Sequence, residues 1–150
     1  MQSDQQKSDL DNLEASFKSD VDEMLMAYET GWSERGIDDR NKFQERVKIN
    51  IDNTINYTKE VVAHLKKLEL SVNGAFVKIE RANSLSVIIS VPVATFMNEL
   101  LLDVYSFAHS IERHSRSDDY RVAFSVTYND GEINEDALLS DGFYRIMKTG

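Results

Sequence analysis

The residues best suited to chemistry form a basic cluster in the C-terminal half of an otherwise acidic chain. Two histidines and three arginines make it up: His109, Arg113, His114, Arg116 and Arg121. Guanidinium and imidazolium groups bind phosphates and carboxylates through charge-assisted hydrogen bonds, so the cluster could hold an anion or an acidic peptide. We assign anion binding to His114, Arg116 and Arg121. The alternative is ion pairing within the chain, with the neighbouring carboxylates of Glu112, Asp118 and Asp119.

The sequence gives less support for metal binding or catalysis. His109 and His114 are five positions apart, or about 140° around a helix, whereas histidine pairs on zinc-binding helices favour a spacing of four. The stretch YNDGEINED lacks the residue order of a calcium loop. Cysteine is absent, and no phosphate-binding glycine loop or G-x-S-x-G nucleophile turn occurs. We therefore assign no metal ligand, cofactor or catalytic residue.

A second set of residues is typical of a protein interface. Leu102, Tyr105, His109 and Arg113 recur at i, i+3, i+7 and i+11, which places them in one stripe along a helix. Tyrosine and arginine are enriched at interfaces, so we predict that this stripe binds a partner. The alternative is that an N-terminal helical hairpin covers it. We add Trp32 and its neighbour Arg35 as partner contacts, although the indole could instead fold back on the preceding helix.

The stripe belongs to a helix that we expect over residues 93–114, directly after Pro92. Proline fits the first turn of a helix because it has no N–H to donate. The predicted core face is centred on Leu100 and also contains Val93, Phe96, Met97, Leu101, Val104, Phe107, Ala108 and Ile111. This face should pack on a sheet.

Alternating apolar and polar residues predict four strands, over residues 76–81, 85–91, 120–128 and 143–148. A turn at Asn83 and Ser84 separates the first two, and a short helix over residues 135–139 precedes the last. One sheet face is apolar, and the other carries small and polar side chains. We expect the N-terminal hairpin, a second subunit or a ligand to cover that other face.

Helical periodicity dominates the N-terminal part. One amphipathic helix is predicted over residues 8–30, and a second from Asp38 or Asp39 to Glu69, with a kink possible around Thr54 and Thr58. Residues 1–39 carry 11 acidic and 3 basic side chains, whereas residues 40–70 carry 4 and 7. Opposite charges favour an antiparallel hairpin of these two helices.

The sequence thus predicts one α+β domain of 150 residues: a helical hairpin over residues 1–70, then a ββαβ(α)β, mostly antiparallel sheet with one long helix packed on it. A net charge of −9 argues against binding nucleic acid or an anionic membrane. No secretory signal is visible, so we expect a cytoplasmic protein. We interpret it as a non-enzymatic interaction module of the adaptor, chaperone or inhibitor type that forms a homodimer. The alternative is a small-molecule-binding domain or enzyme with a pocket between sheet and hairpin.

Overall fold

The computed structural model describes residues 37–129 and 135–148, and the side chains of residues 42–129 and 136–147. The helices are α1 (Ile37–Lys67), α2 (Val93–Phe96), α3 (Leu101–Ser115) and α4 (Glu135–Ser140). The strands are β1 (Gly74–Arg81), β2 (Ser84–Val91), β3 (Arg121–Tyr128) and β4 (Phe143–Lys148). The α+β class predicted from the sequence is confirmed. The predicted helix over residues 8–30, and with it the hairpin, lies outside the described residues.

Helix α1 is continuous over 31 residues, so the break considered from the sequence does not occur. The two threonines that were expected to weaken it bond to its own backbone. The Thr54 hydroxyl donates to the carbonyl of Asn50 and the Thr58 hydroxyl to the carbonyl of Thr54, both at 2.7 Å. Both threonines are buried, and these bonds satisfy hydroxyls that would otherwise be costly to bury.

The sheet is mixed, and its strand order β3-β2-β1-β4 differs from the order along the chain. β1 is antiparallel to both β2 and β4, whereas β2 and β3 are parallel. Two of the three strand pairs are antiparallel, as expected of a mostly antiparallel sheet, and the third pair, which was not predicted, is parallel. The reason is the connection: β2 returns to β3 through α3, and a helical crossover joins parallel strands. The turn between β1 and β2 lies at Ala82 and Asn83, one residue earlier than predicted.

Helices α1 and α3 pack on the apolar face of the sheet. On β2, alternate residues from Leu85 to Val91 are buried against them, as the alternation predicted. Their β3 neighbours in register begin with Val122, which is also buried. Helix α1 contributes Val47, Ile51, Ile55, Val61, Val62 and Leu65 to this core. The buried interface between the helices and the sheet fixes where the ends of the strands lie.

The helix predicted over residues 93–114 is two helices, interrupted at residues 97–100. The Asn98 side-chain carbonyl accepts a hydrogen bond from the Leu100 N–H at 2.9 Å, and α3 starts afresh at Leu101. The centre of the predicted core face is therefore wrong, although other members of that face are buried: Leu100 is 46% exposed and Met97 is 74% exposed, whereas Leu101 is 4% exposed. The buried residues of α3 are Leu101, Val104, Ala108 and Ile111.

Candidate functional site

A buried polar network joins α1 to two loops at one end of the sheet. The Asn50 side chain, on α1, donates to the carbonyl of Ala82 at 2.7 Å and to the carbonyl of Asp119 at 2.9 Å. Ala82 lies in the β1–β2 turn, and Asp119 lies in the loop that leads into β3. Asn83 adds a bond from its side chain to the carbonyl of Asp118. One amide therefore holds both loops against the helix.

Thr54 and Tyr120 extend this network towards the core. Their hydroxyl oxygens are 2.7 Å apart. Because the Thr54 hydrogen is directed at the Asn50 carbonyl, the phenol donates to Thr54. Burial raises the pKa of Tyr120 well above its usual range, and the hydrogen bond with Thr54 only partly offsets that effect. The phenol therefore remains a neutral donor, and the start of β3 is fixed to α1.

Four arginines lie around the loops that this network holds. Arg81 on β1 and Arg121 on β3 both pair in register with Ser84 on β2, so they flank it in one row across the sheet. The last turn of α3 supplies Arg113, and Arg116 directly follows the helix. We call Arg81, Arg113, Arg116 and Arg121 the arginine site.

The arginine site surrounds two hollows that share Ser84 and Arg121. One, of about 290 Å³, is lined by Arg113, Arg116, Arg121 and Glu112, together with Ser84, Leu85, Val122 and Ala123. The other, of about 310 Å³, is lined by Arg81, Asn83, Ser84, Asp118 and Arg121. Of the four arginines, the sequence interpretation had assigned Arg116 and Arg121 to anion binding and Arg113 to partner binding. It missed Arg81, which only the strand pairing brings near.

The carboxylates beside the arginine site make contacts elsewhere. Glu112 accepts hydrogen bonds from the Phe124 backbone N–H at 2.8 Å and from the His109 ring at 3.1 Å. Asp119 forms an ion pair with Arg46. Within the described part of the chain, the four guanidinium groups form no ion pair and no hydrogen bond. Of the predicted cluster, His109 therefore does pair with Glu112, as the alternative explanation proposed, whereas Arg113, Arg116 and Arg121 form no ion pair among the described residues.

His114, the third predicted anion ligand, is not part of the arginine site. Its Nδ1 lies 2.7 Å from the Ser110 carbonyl, to which it donates. Its side chain lines a different feature, a groove of about 560 Å³ between α1 and α3. Successive helical residues diverge by about 100°, which directs His114 away from its neighbour Arg113. The three predicted anion ligands are thus divided between two surfaces: Arg116 and Arg121 belong to the arginine site, and His114 lines the groove between α1 and α3.

The groove between α1 and α3 is shallow and partly aromatic. Tyr57 and Phe107 line it, with Glu60, Ala63, Ser110, Ile111, His114 and Ser115. The Phe107 ring also stacks on His64 with centroids 4.4 Å apart, and His64 bonds to Asp103 at 2.8 Å. A pocket between the sheet and the N-terminal hairpin, the alternative from the sequence, involves a hairpin outside the described residues.

The predicted stripe runs along the outer side of α3. Leu102 is 71% exposed, and His109 and Arg113 are also exposed. Tyr105 differs because it is half-buried and packs against the core. Leu102 follows two other exposed apolar residues, Met97 and Leu100. We call Met97, Leu100 and Leu102 the apolar patch. The stripe thus connects the apolar patch at the start of α3 with the arginine site at its end.

Other predicted features have different outcomes. Trp32 and Arg35, assigned to partner binding, lie outside the described residues, as does most of YNDGEINED. Among residues 42–129 and 136–147, no group of three His, Asp or Glu side chains is placed to hold a metal ion. None of the helices in the described ranges has the length and apolar character needed to cross a bilayer.

No protein-family model, curated protein or solved structure matches this chain.

Proposed function

We propose that the chain is a small acidic, non-enzymatic protein-interaction module of the adaptor, chaperone or inhibitor type. The observation that carries the proposal is the exposed apolar patch, Met97, Leu100 and Leu102, at and just before the start of α3, together with Arg113 in the last turn of that helix, which forms no ion pair among the described residues. Single exposed apolar residues are ordinary, but three within six positions form a patch of the kind that marks interaction sites. The proposal assigns no catalytic residue and no cofactor, and it places the protein in the cytoplasm, away from nucleic acid and membrane.

The surface defines the chemistry of its partner. From Leu102 to Arg116 the helix rises about 21 Å, so the apolar and cationic ends lie within reach of one partner segment. Covering a leucine side chain contributes about 1.5–3 kcal/mol, and a guanidinium adds directional bonds to carboxylates. The complementary partner therefore carries apolar residues at one end of its contact surface and acidic residues at the other.

A second copy of this chain provides such a partner. Residues 1–39 combine 11 acidic side chains with apolar residues at helical spacing, among them Leu10, Leu13, Phe17 and Val21. The like net charge of two copies opposes association, but ordinary salt screens charges more than about 8 Å apart. We propose that the acidic N-terminal segment of one copy covers the outer side of α3 in another.

Sedimentation equilibrium of the Leu102→Glu variant tests this proposal. Burying a glutamate against a partner is costly, so we expect the dissociation constant of the dimer to rise roughly thirtyfold, as for an interface hot spot. The matched control is Ile49→Glu on α1, because Ile49 is 57% exposed and lies on another helix. Ile49→Glu should dissociate as the wild type does, and thermal melting should show both variants folded.

Three results would contradict the proposal. A wild-type protein that stays monomeric at all accessible concentrations removes self-association. Equal weakening by Leu102→Glu and Ile49→Glu shows that added negative charge, rather than this surface, controls association. A dimer that forms unchanged in Leu102→Glu places the interface elsewhere.

A further inference from the structure

We infer that the arginine site binds a phosphomonoester group, carried by a phosphorylated protein segment or by a small phosphorylated molecule. This inference does not depend on self-association. It rests on four arginines without partners in the described structure, two adjoining hollows and the hydrogen-bond network beneath them.

The charge of the two hollows matches a dianion. Four guanidinium groups line them, together with two carboxylates, Glu112 and Asp118, so the lining has a formal charge of +2. Glu112 is already held by the Phe124 N–H and His109, which reduces its competition for the arginines. A phosphomonoester near neutral pH carries a charge of −1.5 to −2 and offers three strong acceptor oxygens. A carboxylate offers less charge and fewer acceptors.

Arginine is the residue best suited to this recognition. Its planar guanidinium presents donors in a fixed fork that matches phosphate oxygens, and it remains charged at any physiological pH. Arg81 and Arg121 approach from the sheet, whereas Arg113 and Arg116 approach from α3. An anion in the shared region beside Ser84 can therefore meet donors from two directions. Ser84 and Asn83 add polar side chains at the same place.

The positions of these groups are set before any ligand arrives. Asn50 fixes both the β1–β2 turn and the loop that leads into β3, and the Thr54–Tyr120 bond fixes the start of that strand. A ligand thus loses less free energy to ordering of the site. Long, exposed side chains still have to be ordered, so moderate affinity is expected.

Charge also argues for a local anion over a polynucleotide. The whole chain carries a net charge of −9. Nucleic acids are held by many phosphate contacts spread over a basic surface, and a strongly negative net charge opposes such binding. A single phosphomonoester needs only the one positive area.

The test is a titration of the ¹⁵N-labelled full-length protein followed through amide chemical shifts. Four probes are used separately: a short phosphoserine peptide, the same peptide with serine, the same peptide with glutamate, and inorganic phosphate. We expect saturable shifts at Ser84, Arg121 and Ala123 with the phosphoserine peptide. The serine peptide offers no charge and the glutamate peptide offers less charge and fewer acceptor oxygens than phosphoserine, so both should bind at least about tenfold more weakly.

Matched variants separate the site from general electrostatics. Arg116→Gln combined with Arg121→Gln removes two positive charges at the site. Lys66→Gln combined with Lys67→Gln removes two exposed positive charges from the end of α1. The arginine variant should weaken phosphopeptide binding at least tenfold, and the lysine variant less than twofold. Inorganic phosphate binding as tightly as the peptide assigns the site to small phosphorylated molecules, and tighter peptide binding assigns it to phosphorylated protein.

The inference is overturned if neither phosphorylated probe gives saturable shifts at these residues. It is also overturned if the glutamate peptide binds as tightly as the phosphoserine peptide, because the site is then a general acidic-peptide surface. Equal weakening by the lysine and arginine variants would likewise overturn it. Because the acidic segment of a second copy would compete for Arg113 and Arg116, the titration is repeated with Leu102→Glu, in which the dimer is weakened, so that a failure of phosphate binding is distinguished from a failure of self-association.

Discussion

The polar network and the arginine site lie at the same end of the sheet, but they differ in burial and in whether their polar groups have partners within the chain. In the network, Asn50, Thr54 and Tyr120 are buried, and each is hydrogen-bonded within the chain. In the arginine site, the four guanidinium groups are exposed and have no partner in the described structure. A buried polar group without a partner is costly, whereas an exposed charge remains hydrated at little cost. The network therefore stabilises the fold, and the arginine site is available for a ligand.

Helix α3 shows the same distinction for apolar residues. Leu101 and Leu100 are neighbours, yet one is buried in the core and the other is largely exposed. Hydrophobic side chains with partners in the chain stabilise the fold, and those without partners are candidates for binding. The predictions below test this distinction, from the largest expected effect to the smallest.

The pair Leu101→Ala and Leu100→Ala should give the largest contrast. Truncating the buried Leu101 leaves a cavity and should lower the free energy of unfolding by about 2–5 kcal/mol. Truncating Leu100 should lower it by less than about 1 kcal/mol, because much of that side chain is already hydrated. Urea denaturation of both variants measures the difference. Equal losses would show that the two leucines are equally buried and that α3 is rotated from the position described.

Asn50→Ala should lower the free energy of unfolding by about 1–3 kcal/mol. The substitution leaves the carbonyls of Ala82 and Asp119 without the donor that satisfies them. Asn53→Ala is the matched control because Asn53 is exposed on the same helix. Chemical denaturation should show the control within about 0.5 kcal/mol of wild type. If Asn50→Ala leaves the free energy of unfolding unchanged, the two loops are held by other contacts.

Tyr120→Phe should lower the free energy of unfolding by about 1 kcal/mol at pH 8, through loss of the bond to Thr54. The difference in the free energy of unfolding between wild type and Tyr120→Phe should become smaller as the pH rises. Unfolded tyrosine ionises near pH 10, but burial raises the pKa of Tyr120 in the fold, so the native state then binds more protons and becomes less stable. Its contribution is complete below about pH 10 and declines above it. Urea titrations from pH 8 to 11.5 test this, with Tyr128→Phe as the exposed control. Parallel pH profiles for wild type and Tyr120→Phe would refute it.

Arg113→Gln combined with Arg121→Gln should have the smallest effect on stability. These guanidinium groups have no partner to lose among residues 37–129 and 135–148, so the free energy of unfolding should change by no more than about 0.5 kcal/mol. Denaturant melts at low and moderate salt check this. A loss above about 1.5 kcal/mol would show that these arginines belong to the structural network and would remove the contrast with Asn50.

The sequence predicted individual elements better than their arrangement. Alternation along residues 85–91 identified the buried side of β2, and helical periodicity identified α1. Alternation does not reveal which strand lies next to which, so the parallel β2–β3 pair was missed. The error at Leu100 arose because helical periodicity carried across residues 97–100 assumes one unbroken helix. Asn98 ends that continuity by bonding to the backbone, which a hydrophobic pattern does not record.

The candidate site was predicted in part for similar reasons. Arg113, Arg116 and Arg121 are close in sequence, so their proximity was visible. Arg81 is 40 positions before Arg121 and reaches it only through the shared neighbour Ser84 on β2. His114 was grouped with the arginines by sequence distance, although the helix directs it towards α1. Thr54 and Thr58 were interpreted as a place where α1 could kink, because a residue pattern does not show that each hydroxyl donates to a carbonyl of the same helix.

The hydrogen bond from the Phe124 N–H to Glu112 has a consequence for self-assembly in the test tube. β3 is an edge strand, and alternate N–H groups on such a strand face outwards, where another chain could extend the sheet. The Glu112 carboxylate accepts a hydrogen bond from one of these groups, the Phe124 N–H near the middle of β3. An incoming strand would have to displace that carboxylate and leave it in an unfavourable environment. At the β3 edge, the Glu112 side chain therefore opposes edge-to-edge pairing with another sheet.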